Sequence, residues 1–151
     1  MIWKVIKIIL VAICMISIFM FSADPAEASD AKSNHVIVTV AEFFAGHDLS
    51  AREQQEKIDQ YVVLVRKGAH LSIYFLLGFL VISLLKEYVS LQPKHIFYAF
   101  LFCFLYACSD EVHQLFVPGR SGSIIDVGID SMGSIFGILF YSVLYKFRRR
   151  V

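Results

Sequence analysis

Four apolar runs dominate the chain: Ile8–Ala23, Gly68–Leu85 ("GAHLSIYFLLGFLVISLL"), Ile96–Phe116 and Ile124–Tyr145. A backbone that crosses lipid must satisfy its own N–H and C=O groups, so several such runs in one chain point to a bundle of membrane-crossing helices. A spanning helix needs about 17–25 residues. The first run reaches that length only if Trp3 and Ile6 join it. The third reaches it only if the helix continues through Asp110–Gln114. Composition agrees: the 151 residues are 58% hydrophobic and 15% aromatic, with a mean hydropathy of +0.66, against about 45–50% apolar in soluble domains. The expected architecture is all-α and polytopic, one domain over residues 1–151, with four transmembrane helices at about 5–23, 68–86, 96–116 and 124–145. One or two extracytoplasmic, interfacial amphipathic helices are expected in an outer segment, 24–66.

Within that outer segment, "HVIVTVAEFF" puts Ile37, Val40, Ala41 and Phe44 on one helical face, as suits a helix lying on a bilayer. Ser50 and Glu53 fit a capping box that opens a second helix through "REQQEKIDQYVVLV". The first run also admits a rival reading. A basic start, an apolar stretch and "PAEAS" describe a cleavable signal peptide as well as a retained span.

Lys and Arg set the expected orientation. With the N-terminus cytoplasmic, the inner segments hold Lys4, Lys7, Lys86, Lys94, Lys146, Arg148, Arg149 and Arg150, and every acidic residue except Glu87 falls outside. The C-terminal "KFRRR" places both termini in the cytoplasm. The net charge of +1 carries no signal for nucleic acid. Cys14, Cys103 and Cys108 lie inside apolar runs without metal-binding spacing and read as small hydrophobes. His35, His47 and His95 read as surface residues.

Alternating topology sends the ionisable residues of three spans to one end. Lys67, His70 and Tyr74 share a face at the outer start of the second span, spaced i, i+3, i+7. Asp110, His113 and Gln114 share a face at the outer end of the third, beside Glu111. Asp126 and Asp130 open the fourth, and Arg120 lies on the loop between the last two. An ionisable group in a span costs about 2.5–3.5 kcal/mol unless it faces protein or water. Groups at equal depth on three helices are therefore best stabilised by facing one another, with Lys67, Arg120 and a protonated His offsetting the carboxylates. Gly133 and Gly137, at G-x-x-x-G spacing, would let the fourth helix approach a neighbour closely.

These residues carry a resemblance. "RKGAHLSIYFLLGFL" followed by "SDEVHQLFVPGRSGSIIDVGIDSMGSIFG" resembles the VanZ-like family of bacterial membrane proteins, named for a teicoplanin-resistance protein. The family pattern of K-x-x-H-x-x-x-Y, D-E-x-H-Q with a later Arg, and D-x-x-x-[DN]-x-x-G falls on Lys67, His70 and Tyr74. It continues on Asp110, Glu111, His113, Gln114 and Arg120, and ends on Asp126, Asp130 and Gly133. The resemblance covers roughly residues 15–145. It implies a multi-pass plasma-membrane protein and a retained first span, because "FSADPAEAS" resembles a segment that the family keeps. It implies no settled activity. One departure is that many members carry an acidic residue just before the tyrosine, where this chain has Ser72-Ile73. Some relatives are labelled phosphotransbutyrylases, but no phosphate-cradling glycine loop stands in this sequence to support acyl-phosphate chemistry.

Two functions follow as expectations. The first is a pocket that holds a lipid headgroup, wall precursor or lipoglycopeptide without chemistry, and so affects teicoplanin-type susceptibility. The second is a hydrolase or transferase acting on a phosphate-bearing lipid-linked substrate. In it His113 is base or nucleophile, Asp110, Glu111, His70 and Asp126 assist, and Lys67, Arg120, Tyr74, Gln114 and Asp130 bind substrate. A metal held by His70, His113 and two carboxylates is a weaker alternative. The spacing matches no known metal signature, and Lys67 and Arg120 would repel a cation. No cofactor is expected.

Overall fold

A computed structural model describes residues 2–148. Among them are five α-helices and no strand: α1 (Ile2–Ser22), α2 (Ala26–Ala45), α3 (Ala51–Leu85), α4 (Pro93–Gln114) and α5 (Ile124–Arg148). Arg149 and Arg150, invoked above as cytoplasmic anchors, lie outside the described residues. Helices α1, α3, α4 and α5 are each long and apolar enough to cross a membrane. Their most apolar windows are only 17–33% buried within the protein. Side chains such as Ile13, Phe102, Leu105, Leu139 and Phe140 face outward. In water an apolar surface on that scale is untenable, whereas lipid tails solvate it at no cost.

Trp3 and Ile6 do join α1, and α4 does run through Asp110 to Gln114, which gives both helices spanning length. One expected boundary differs. The amphipathic segment after Ser50 and the second span are a single helix of 35 residues. No proline interrupts 51–85, and Gly68 costs a helix only about 1 kcal/mol relative to alanine, too little to break it. At 1.5 Å per residue α3 is about 52 Å long, so its charged first half extends beyond a hydrocarbon layer of about 30 Å. Its start is the anticipated capping box: the Glu53 N–H donates to Ser50 Oγ at 3.5 Å, and the Ser50 N–H donates to Glu53 Oε2 at 2.9 Å. The Ser50 hydroxyl also donates to Glu53 Oε2 at 2.6 Å, and this bond, with that from the Ser50 N–H, holds the Glu53 carboxyl below its usual range.

Helix α3 is the hub and touches all four other helices, α5 most extensively. Lys67 pairs with Asp126, His70 with Asp130, Leu71 meets Gly133 and Phe75 meets Gly137, so numbering rises together and α3 and α5 run parallel. Gly78, Gly133 and Gly137 make this seam possible. A Cβ on any of them would overlap the backbone of the opposite helix, at Ser134, Leu71 or Phe75. Small residues at such a crossing let backbones approach closely in lipid, where hydrophobicity itself cannot drive helix association. Helix α4 returns between them, and the core is completed by Val11, Cys14, Ile18, Tyr74, Leu77, Ile82, Ala99, Cys103, Ala107 and Ile138.

Specific polar contacts fix the remaining helices. The Tyr106 hydroxyl donates to the Met15 carbonyl at 2.7 Å, tying α4 to α1. At the opposite end from the polar cluster, Lys7 Nζ lies 2.6 Å from Glu87 Oε1 and also donates to the Ser83 carbonyl. That ammonium holds the Glu87 carboxyl below its usual range. Cys14 and Cys103 are buried in the core and Cys108 is half-buried, all three as free thiols. His35 and His47 are exposed, while His95 is half-buried and accepts from the Gln92 N–H at 3.1 Å, capping α4.

Candidate functional site

The parallel seam delivers α3 and α5 side chains to one end of the bundle in register, and α4 ends there. His70 Nδ1 lies 3.4 Å from Asp130 Oδ1. Asp110 comes in from α4, so that His70, Asp110 and Asp130 each offer a ligand atom within 4.8 Å of the others. Asp130 is fully buried and Asp110 is 3% exposed. Asp130 can be so deep because Gly133, three residues on, brings its helix against α3 at Leu71, the residue after His70.

Around the trio sit buried polar atoms without hydrogen-bond partners among the described residues. They are Tyr74 OH, Ser22 Oγ, His70 Nδ1, Asp110 Oδ1 and both carboxylate oxygens of Asp130. The His70–Asp130 contact is close but misaligned for a hydrogen bond. An unpaired buried polar group costs about 1–3 kcal/mol. A cluster of them is a site designed to meet something else, or to share protons internally. Gln114 donates weakly to Asp110 Oδ2 at 3.5 Å and to Glu111 Oε1 at 3.4 Å. Glu111 Oε2 accepts from the Ser123 N–H at 2.7 Å, which pins the start of α5 to the end of α4.

The other predicted residues sit at the margin. Lys67 Nζ is 3.4 Å from Asp126 Oδ1, both partly exposed, one turn beyond the trio. His113 turns toward α1 and stacks on Phe19, with ring centroids 4.4 Å apart, its Nε2 buried and unpartnered. Its i+3 spacing from Asp110 rotates it about 60° from that carboxylate on an ideal helix, enough to change neighbours. Arg120 reaches the α1–α2 turn, where Nε donates to the Asp24 carbonyl at 3.1 Å and an η-nitrogen to the Phe21 carbonyl at 3.2 Å. Ala26 N–H donates to the Pro118 carbonyl at 3.2 Å beside it. Arg120 thus clamps two loops, and the two carboxylates of the trio keep no cation other than His70 within contact among the described residues.

His70 also forms part of the wall of a cleft of about 260 Å³ between α1, α2 and α3. Ile18, Val36, Val65 and Ile73 give it an apolar lining, and Asp24, Lys32, Arg66 and Arg120 a charged rim. Two of the rim cations are paired, Lys32 with Asp24 at 2.5 Å and Arg66 with Asp30 at 3.2 Å. Ser22, Asp24, Lys32 and Arg66 were not among the sequence candidates. A serine ending an apolar run, and isolated charges in the outer segment, carry no pattern until α2 folds back against α3.

A family model described as VanZ/LLP1 matches residues 7–145, and so takes in all the spans and every residue of the cluster. No curated protein and no solved structure matches the chain. With that match running almost from end to end, the chain belongs to the VanZ/LLP1 family.

Proposed function

We propose that this is a multi-pass protein of the bacterial plasma membrane, with both termini cytoplasmic. On this reading its polar cluster, open at the outer face, holds the polar headgroup of an envelope lipid or wall precursor and thereby alters susceptibility to teicoplanin-type glycopeptides. The observation that carries the reading is the under-bonded trio of half-buried His70 with buried Asp110 and Asp130, drawn from the two parallel helices and α4. The adjoining cleft has apolar walls for an acyl chain and a cationic rim for an anionic group. Orientation rests on the cytoplasmic excess of Lys and Arg in short segments.

The test is to express the chain in a susceptible Gram-positive host and measure growth against teicoplanin. Wild-type protein shifts the inhibitory concentration, while His70→Ala and Arg120→Ala, inserted at equal level, do not. Full effect from both variants would sink the pocket reading. A second reading has one observation in its favour, an imidazole bordering the cleft, His70, with the Asp130 carboxylate 3.4 Å behind it, the pair of groups a general base requires. It makes the protein a hydrolase or transferase on a phosphate-bearing lipid. A mass change in lipid-linked precursors incubated with purified protein, lost in His70→Ala, separates it from binding alone.

A further inference from the structure

We propose that His70, Asp110 and Asp130 bind one divalent first-row metal ion, with an open coordination position toward the cleft between α1, α2 and α3. The inference uses the same cluster as the proposed function but does not need its ligand or phenotype to be right.

The donor set comes first. Two carboxylates and one imidazole carry a formal charge of −2, which a divalent ion neutralises, and mixed O/N donors suit Mn²⁺, Fe²⁺ or Zn²⁺. Donor atoms on one such ion are about 3–3.6 Å apart at bond lengths of about 2.1 Å. His70 Nδ1 and Asp130 Oδ1 already stand at 3.4 Å, and the whole trio lies within 4.8 Å. A bound ion would draw the Asp110 carboxylate, which Gln114 holds only weakly at 3.5 Å, in from that distance.

Burial supplies the second observation. Both oxygens of fully buried Asp130 are unpartnered, as is the hydroxyl of fully buried Tyr74, one helical turn from His70. An isolated carboxylate in a dry site is too costly to keep charged without a counter-charge. Apart from His70, whose single charge could offset only one of the two carboxylates, the cations that could serve are committed elsewhere: Lys67 to Asp126, and Arg120 to the carbonyls of Asp24 and Phe21. The objection that these two would repel a metal therefore loses its force. With the ion bound, the unpartnered Tyr74 OH would serve as an outer partner that steadies a ligating carboxylate. Since His70 borders the cleft, the remaining coordination position faces it, where a phosphate oxygen of a bound headgroup could complete the shell.

The experiment uses full-length protein in detergent, stripped with chelator and reconstituted with Mn²⁺. Mass spectrometry of the bound metal is expected to give about one ion per chain, and spin-echo modulation of the Mn²⁺ signal to show a directly bound imidazole nitrogen. Asp110→Asn and Asp130→Asn lose the ion, and His70→Asn loses the nitrogen modulation, while Glu87→Gln at the other end of the bundle keeps both. Binding unchanged in both aspartate variants overturns the proposal. So does wild-type protein that holds no Mn²⁺, or holds it without nitrogen modulation, and this wild-type result stands even if a variant fails to fold. Because no growth assay enters, failure here is distinct from failure of the resistance reading.

Discussion

Gly133→Ala and Gly137→Ala are single-methyl changes with a large expected consequence. A Cβ at 133 lands on the Leu71 carbonyl and one at 137 on the Phe75 carbonyl, well inside ordinary van der Waals separation. Neither obstacle can rotate away, because both are main-chain atoms of an unbroken helix. The α3–α5 seam must open by roughly 1 Å, and a gap of that size forfeits about a quarter to a half of each dispersion contact along it. Overpacking of this kind costs about 1–3 kcal/mol. Gly128→Ala is the control, since a Cβ there meets nothing within 4 Å. It should be neutral or add up to about 1 kcal/mol from helix propensity. The assay is reversible unfolding in mixed micelles by added SDS, followed by circular dichroism. Because the same seam sets the 3.4 Å approach of His70 to Asp130, the two destabilised variants should also lose any function of the cluster. If all three variants unfold with the wild-type midpoint, the close parallel packing of α3 on α5 is wrong.

Further outcomes test other parts of the structure. Lys67→Ala and Asp126→Ala should each cost under about 1 kcal/mol, being a partly exposed pair, and a double-mutant cycle of stability measures this directly. Tyr106→Phe removes the hydroxyl from the Met15 carbonyl and should cost about 1 kcal/mol in the same SDS assay. The Glu53 carboxyl is held low by Ser50, so its contribution is present above the ordinary carboxylate range and is lost as pH falls through the lowered value. Protection of the first-turn amides of α3, relative to their intrinsic exchange rates, should fall on that acidification, and Ser50→Ala, which keeps only the backbone bond to Glu53, should weaken the pH dependence. Single cysteines at Ser121 and at Gln92, in a cysteine-free chain, should react with a membrane-impermeant maleimide only at 121 in intact cells; labelling of 92 alone reverses the orientation.

Much of this was legible because lipid simplifies the code. Run length and the absence of interior charge located four helices, and alternating direction was enough to send Lys67, His70, Asp110, Asp126 and Asp130 to one end. The Ser50–Glu53 box and the role of Gly133 and Gly137 followed from local spacing. What spacing could not resolve was rotation about a helix axis at its last turn. His113 was grouped with Asp110, yet the packing of α1 draws it onto Phe19. Arg120, on a loop, had no periodicity to aim it, and its partners are carbonyls of a turn almost a hundred residues earlier in the chain. The fusion of the outer helix with the second span was hidden by the charge at Arg66-Lys67, which marks a change of solvent and not a change of backbone.

That fusion has a mechanical consequence. With neither proline nor a break in the helix between Ala51 and Leu85, the charged first half of α3 and the part bearing His70 form one continuous rod. Whatever grips the rod near Gln54 or Gln60 cannot be absorbed by a hinge. It arrives at the imidazole as tilt, with the glycine seam beneath serving as fulcrum.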